Sequence, residues 1–352
     1  MKQGDIPVLG SNCTIGYHDI AKVSAPGVTT GRSGTLGKVQ YIDIDYWPHN
    51  TALWVKDFKN NNPKFVYYKL KTLNLERFNG GASVPTLNRN ILDTLKLQIP
   101  KIKTQERIAS TLSTYDDLIE NNRRRIQLLE ESARLLYREW FVHFRFPGHE
   151  HVEIVDGLPQ GWEKVKVGDL GEVITGKTPS TKISENFNGD IPFIKTPDMH
   201  KASIVIESEE TLSERGAKTQ VNKFIPENSI MVACIGAKLG VVALNGKLAQ
   251  TNQQINAVIP NEEFKRYYIY FALIDLKPRL EAMGGGATMP NVNKSKFESV
   301  PTILPSKQLL INFNDFCKPI FFQIKTLSLQ NKKLKEARDI LLPRLMNGEI
   351  AV

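Results

Sequence analysis

Gly80-Gly81-Ala82-Ser83-Val84-Pro85-Thr86-Leu87-Asn88 returns as Gly285-Gly286-Ala287-Thr288-Met289-Pro290-Asn291-Val292-Asn293, displaced by 205 residues. Ile99-Pro100 returns as Leu304-Pro305 at the same displacement. Upstream, Leu36-Gly37 matches Leu239-Gly240 at 203, and Gly4-Asp5-Ile6-Pro7 matches Gly189-Asp190-Ile191-Pro192 at 185. A displacement that is constant downstream and shrinks upstream marks one unit used twice, with shorter loops in the first copy. A repeat of this length settles architecture before any single motif does.

After each Ile/Leu-Pro, short strand-like runs give way to apolar residues spaced by four and three, the seam of a long packed helix. The first seam is Ile108, Leu112, Tyr115, Ile119, Asn122, Ile126, Leu129, Ala133, Leu136 and Trp140. The second is Phe313, Cys317, Ile320, Ile324, Leu327, Asn331, Leu334, Arg338, Leu341 and Leu345, again displaced by 205 throughout. A helix from Thr104 to Phe144 is roughly 60 Å long at about 1.5 Å per residue, and only a helix of similar length covers such a stripe. The two helices are therefore expected to pair; packing each on its own domain would make the shared register a coincidence. Asn122 aligns with Leu327, and Asn331 with Ile126. Either these amides fix the register at a cost in stability, or the stripe is wetter there. Pro343 is expected to end or kink the second helix, and Pro147-Gly148 to end the first.

Ahead of each helix the pattern is α+β. Lys38 to Tyr46, Ala52 to Val55, Ser229 to Ile235 and Gly240 to Leu244 read as strands, Phe65 to Leu75 and Phe264 to Leu276 as helices. The expected organisation is a globular region at 1–103, a helix at 104–147, a linker at 148–157, a second globular region at 158–305, and a second helix with its tail at 306–352.

The 352 residues suit about two domains, and 41% hydrophobic with 24% charged content suits buried cores rather than disorder. The most apolar stretch, Ile230 to Leu244, is broken by Gly236, Lys238 and Gly240, and MKQGDIPVLG has no apolar signal region. A cytoplasmic protein is expected. Cys13, Cys234 and Cys317 form no CxxC pair, which excludes a disulfide framework and a zinc knuckle and leaves buried thiols. The net charge of +9 is compatible with a polyanion partner. Residues 1–147 carry 21 Lys+Arg against 14 Asp+Glu, and residues 148–352 carry 25 against 23, so charge favours the first half.

Gly171-Glu172-Val173-Ile174-Thr175-Gly176-Lys177-Thr178 satisfies the phosphate-loop pattern and would make an ATPase. A phosphate loop must open a helix, and Pro179 forces Thr178 towards extended geometry instead. His143, His149 and His151 with Glu150 and Glu153 sit in a linker without a rigid second ligand pair, so they read as solvated rather than metal-bound. No base-methylation, dinucleotide or nuclease motif is present, and no catalytic residue is assigned.

The layout resembles the DNA-specificity subunit of type I restriction-modification systems over nearly the whole chain. The resemblance rests on Leu158-Pro159-Gln160-Gly161-Trp162, Val167-Gly168-Asp169-Leu170, Gly176-Lys177-Thr178-Pro179-Ser180, Gly189-Asp190-Ile191-Pro192, the duplicated glycine segments, and Leu341-Leu342-Pro343-Arg344-Leu345. It implies two mixed α/β target recognition domains in pseudo-twofold repeat, joined by two long antiparallel coiled-coil-like helices. It implies that each domain reads half of a split site in double-stranded DNA, with the helices as spacer and docking surface for two methyltransferase subunits, joined by restriction/translocase subunits. S-adenosylmethionine, ATP and magnesium are then expected in the partners and no cofactor in this chain. The Gly-Trp opening and the Gly-Lys-Thr-Pro-Ser loop have no counterpart ahead of Gly4, so the first domain is expected to be N-terminally truncated, with an exposed sheet edge.

DNA contact needs amides and hydroxyls for base edges beside Lys/Arg for phosphates. The second copy supplies Lys177, Thr178, Ser180, Lys238, Asn252, Gln253, Gln254, Asn291, Asn293, Lys294 and Lys296 on its loops; the first supplies Arg32, Ser33, Lys38, Asn50, Thr86, Asn88 and Arg89. Arg123-Arg124-Arg125 is expected to face solvent or a partner. A rival reading is a helical interaction scaffold in which one domain alone reads DNA.

Overall fold

The computed structural model describes residues 4–81, 83–200, 202–236, 238–285 and 290–352; Ala82, and Gly286 to Met289 of the repeated glycine segment, lie outside the described residues. The chain forms two compact units, Met1–Asn121 with Asn331–Val352, and Asn122–Gln330.

The first unit runs β1 (Ile6–Leu9), β2 (Thr14–His18), β3 (Gly27–Gly31), β4 (Val39–Ile42), β5 (Trp47–Pro48), β6 (Ala52–Trp54), α1 (Pro63–Lys71), α2 (Arg89–Asp93) and the start of α3 (Ile102–Tyr137). The second unit begins within α3. It continues through β7 (Ile154–Val155), β8 (Leu158–Pro159), β9 (Glu163–Lys166), β10 (Gly171–Thr175), β11 (Phe187–Ile194), α4 (Thr196–Met199), β12 (Ile204–Val205), β13 (Glu210–Leu212) and α5 (Glu214–Lys218). There follow β14 (Ile230–Ala233), β15 (Val242–Asn245), β16 (Gln250–Thr251), β17 (Ile255–Pro260), α6 (Arg266–Asp275), α7 (Lys277–Gly284), α8 (Lys294–Glu298), β18 (Pro301–Leu304) and α9 (Lys307–Met346), whose end returns to the first unit.

Within each unit the sheets repeat. β1 pairs antiparallel with β2 and parallel with β5, as β11 does with β13 and β16. The antiparallel order β4-β3-β6 is matched by β15-β14-β17, but the second sheet continues to five strands, with β10 outside β17 and β12 outside β15. β18 pairs with β9, whereas residues 96–99, at the equivalent place in the first copy, form no strand. The α+β class expected from the pattern is what the chain adopts.

Strand alternation sorts side chains onto two faces. Ile230, Val232, Leu244 and Val258 enter the core under α6, while Met231, Ala243, Ile255 and Ala257 build a second core on the opposite face. Val28, Leu36, Val39, Leu75 and Leu87 form the sheet core of the first unit.

Every seam residue of both helices is buried or half-buried. In the first unit Ile108, Ala109 and Leu112 of α3 pack with Leu342, Leu345 and Met346 of α9 and with Phe65 and Tyr68. In the second, Ala133 and Tyr137 pack with Phe313 and Cys317. The start of one helix meets the end of the other each time, so the pairing is antiparallel. Arg338, counted in the apolar seam, is neutralised by Asp116: its guanidinium donates to Oδ1 at 2.5 Å, and the Tyr68 hydroxyl donates to Oδ2 at 2.6 Å.

Three expectations are corrected. Of the end or kink expected at Pro343, the end does not occur there: α9 runs through both Pro319 and Pro343 to Met346; a proline removes one i to i−4 bond, and the packing on either side carries the helix past it. The first helix does not run regularly to Phe144. It widens into a π turn at Arg138–Val142, which sets Phe141 against Tyr268 at 4.9 Å and Phe313 at 5.0 Å. Cys234 and Cys317 are buried, but Cys13 is exposed.

Candidate nucleic-acid interface

Three separate segments of the second unit are joined by backbone hydrogen bonds. Cys234 N–H donates to Gln254 O at 2.8 Å, Gly236 N–H to Pro290 O at 3.0 Å and Val292 N–H to Cys234 O at 2.8 Å, with Ile235 bridging Asn291. The first unit repeats this ladder bond for bond. Arg32 N–H donates to Thr51 O at 2.8 Å, Gly34 N–H to Pro85 O at 2.9 Å and Leu87 N–H to Arg32 O at 2.8 Å, with Ser33 bridging Thr86. Each ladder therefore gathers side chains far apart in sequence.

In the second unit Lys177 and Thr178 join the ladder through the chain after β10. Lys177 N–H donates to Thr251 O at 2.9 Å, Gln220 Nε2 to Lys177 O at 2.7 Å, and Thr178 Oγ1 to Gln253 Oε1 at 2.7 Å. Asn252 is only 7% exposed. Its Nδ2 donates to Gln254 Oε1 at 3.1 Å and its Oδ1 accepts from Gln254 N–H at 3.2 Å, so it shapes the turn from beneath. Lys177, Gln253, Lys238 and Asn291 are exposed. Asn293 caps α8, accepting from Lys296 N–H at 2.9 Å, and Lys294 pairs with Glu298 at 3.5 Å. Ser180 stands apart from the ladder, its carbonyl accepting from Asn186 Nδ2 at 3.0 Å.

In the first unit Arg32, Asn50, Thr86, Asn88 and Arg89 line one cavity of about 1130 Å³. Arg32 donates to Asn50 O at 3.2 Å, and Asn88 caps α2, accepting from Asn90 N–H at 3.0 Å. Ser33 lies beside Thr86 in the ladder, while exposed Lys38 precedes β4 and does not line the cavity. Lys22, Trp47, His49, Lys56 and Asn90 also line it and escaped the sequence reading. Trp47 stacks on His18 with centroids 4.6 Å apart, and Lys22 Nζ lies 5.5 Å from its ring centre. For Trp47 and His49 the displacement of 203 that places Trp47 to Asn50 over Gln250 to Gln253 was a signal, but the residue types do not match.

The phosphate-loop pattern fails on geometry. Gly171–Thr175 is a strand, Gly176 to Ser180 is irregular, and the next helical element is a three-residue turn at Ser184–Asn186. The chain after Lys177 therefore opens no helix, as a phosphate loop must. Among the described residues no group of three or more His, Cys, Asp or Glu could hold a metal ion, and no helix is long and apolar enough to cross a membrane.

The family model for the type I restriction modification DNA specificity domain matches residues 2–131 and 159–311. The chain belongs to that family. Among its relatives, the specificity subunit of the type I restriction enzyme HindI from Haemophilus influenzae is 34% identical, the match covering 76% of this chain and 72% of the relative. The MjaIX specificity subunit from Methanocaldococcus jannaschii is 30% identical, covering 89% and 76%. The crystal structure of a type I restriction-modification S subunit from M. genitalium shares the fold, with a TM-score of 0.63 at 18% identity over 97% of this chain and 88% of that one. The two matched segments coincide with the two copies that carry the ladders.

Proposed function

We propose that the chain is a non-catalytic DNA-specificity subunit, acting in the cytoplasm, that recognises a bipartite target in double-stranded DNA and directs adenine methylation and cleavage by partner subunits. The observation that carries this reading is the ladder built twice. Each copy presents amides, hydroxyls and cations from loops, the mixture suited to base edges and phosphates. Two readers on one pair of helices make a target in two halves with an unread gap. Family membership supports the partner assignment: two methyltransferase subunits, with restriction/translocase subunits joining, and with S-adenosylmethionine, ATP and magnesium chemistry located in them. Leu128, Phe322 and Ile340, 71%, 72% and 57% exposed on the long helices, are suited to holding such partners.

The test is co-expression with the cognate methyltransferase in a methylation-free host, followed by genome-wide mapping of N6-methyladenine. A split motif with a fixed gap is expected. A single short continuous motif would overturn the bipartite reading. A motif specified on one side only would favour the scaffold reading, which the smaller sheet of the first unit supports. Binding should also weaken steeply with salt as counterions return to the phosphates.

A further inference from the structure

Two buried glutamines of the second unit hold an exposed loop in place. Gln250, at the root of the turn that carries Asn252 and Gln253, is fully buried, and Gln220 nearly so. Gln250 Nε2 donates to Ala217 O at 3.0 Å and to Gln220 O at 3.2 Å. Gln220 Nε2 donates to Gln250 Oε1 at 2.8 Å and to Lys177 O at 2.7 Å. Each Nε2 faces two oxygens, and an amide turned round would set oxygen against oxygen, so the neighbours fix which way both amides point.

The chain from Lys177 closes the circuit. Its N–H returns to Thr251 O at 2.9 Å, and the Thr178 hydroxyl donates to Gln253 Oε1 at 2.7 Å. Lys177 is thus held by its amide and its carbonyl, while its side chain is exposed. Stability does not account for the pair. Buried amides gain little over apolar groups of the same shape, and Gln220 Oε1 is buried without a hydrogen-bond partner among the described residues, which costs free energy. What the pair supplies is a single position for the loop.

The device belongs to the second copy. The bridges Val23–Tyr46 and Ile225–Ala249 mark equivalent points. β2 reaches the first through Asp19 to Lys22, whereas β13 reaches the second through α5 and the turn Val221–Lys223, the segment that brings in Gln220. The displacement of 203 puts Trp47 at the place of Gln250, and an indole has one donor and no acceptor.

We propose that Gln220 and Gln250 are positioning residues for recognition. Through Lys177 O they set the place from which Lys177 and Thr178 meet the half-site of the second unit, and Thr178 in turn fixes the amide of Gln253. Being buried, neither glutamine meets DNA itself. The inference rests on the DNA-reading function proposed above and names what sets its specificity in one half of the target.

The experiment takes the full chain in complex with the co-expressed methyltransferase and compares wild type with Gln220→Met, which keeps the length of the side chain and loses its donors. Hydrogen exchange is read at the Lys177 and Thr178 amides, and methylation is mapped at sites altered by one base in either half of the motif. Gln220→Met should speed exchange at Lys177 about tenfold and raise methylation of near-cognate sites about tenfold in one half alone. Thr178→Val should relax the same half, and Thr178→Ser, which restores the hydroxyl, should recover the discrimination. Asn245→Ala removes another buried amide of this unit, one that donates to Pro226 O and Lys247 O at 2.8 Å. It should lower the unfolding midpoint and leave discrimination in both halves. Unchanged exchange at Lys177 in Gln220→Met overturns the proposal, as does equal relaxation of both halves. Relaxation of the same half by Asn245→Ala also overturns it, because loss of stability would then be the cause. A wild-type complex that methylates without regard to sequence would instead overturn the DNA-reading function, and the inference with it. Exchange is read whether or not DNA binds, so the two failures are distinguishable.

Discussion

The second unit extends its main sheet with β10 on one side and β12 on the other, and buries both faces; among the described residues the first unit's sheet runs from β4 to β6. Yet the three hydrogen bonds that tie the turns together are the same in both. Sheet size and loop geometry are therefore separable: the ladder needs only the ends of the central strands, whereas the added strands contribute burial. The second unit should therefore be the more stable of the two.

The largest expected effect comes from alkali, which strikes both units. Burial raises the hydroxyls of Tyr137, Tyr268 and Tyr270 in the second unit and of Tyr46, Tyr67 and Tyr68 in the first above 10.0, to about 12 for Tyr46 and Tyr67. The folded chain then holds protons that the unfolded chain releases. The stability involved is complete below about pH 10 and is lost as pH rises towards the folded values, by about 1.4 kcal/mol per pH unit for each fully buried ring. Tyrosinate absorbance should rise together with unfolding; ionisation of all these rings while the fold persists would contradict their burial.

Phe141→Ala should separate the units. It empties the centre of the aromatic cluster around Tyr268 and Phe313, a loss of about 3–5 kcal/mol. Exchange protection should fall across β14 and β17 and stay unchanged across β3 and β4.

Gly176→Val places a side chain against the backbone of Thr251 and Asn252 and should cost about 1–3 kcal/mol. In the proposed reader it should weaken binding at one half-site only, measured with oligonucleotides altered in each half. The smallest effects should come from the matched caps. Asn88→Ala and Asn293→Ala each remove one side-chain acceptor from a helix start, about 1 kcal/mol apiece, and unequal losses in thermal denaturation would show that the two turns are not equivalent.

The seam was legible because helical periodicity is a one-dimensional property. Every seam position from Ile108 to Trp140 and from Phe313 to Leu345 is buried or half-buried. Strands were legible only where apolar runs were continuous: Ser229 to Ile235 holds β14, but the run at Lys38 to Tyr46 yields only Val39–Ile42 as β4. Beyond it Asp45 leaves the sheet to accept from Ala25 N–H at 2.8 Å. β1, β2 and the five-residue β3, Gly-Val-Thr-Thr-Gly, gave no periodic signal, although β3 is wholly buried.

The site was legible as a set of loops and not as a set of contacts. Its glycine and asparagine pattern repeats in sequence, but whether an amide faces outward or inward depends on which backbone it meets. Gln253 is exposed and Asn252, its neighbour, is 7% exposed. The sequence alone determined the duplication, the two seams and the family resemblance, because each is carried by spacing along one chain. Tertiary structure decided the burial of Asn252, the Asp116 bond to Arg338, and the cavity beside β6. Those depend on segments up to about two hundred residues apart being brought within hydrogen-bonding range, and no local pattern encodes which segments meet.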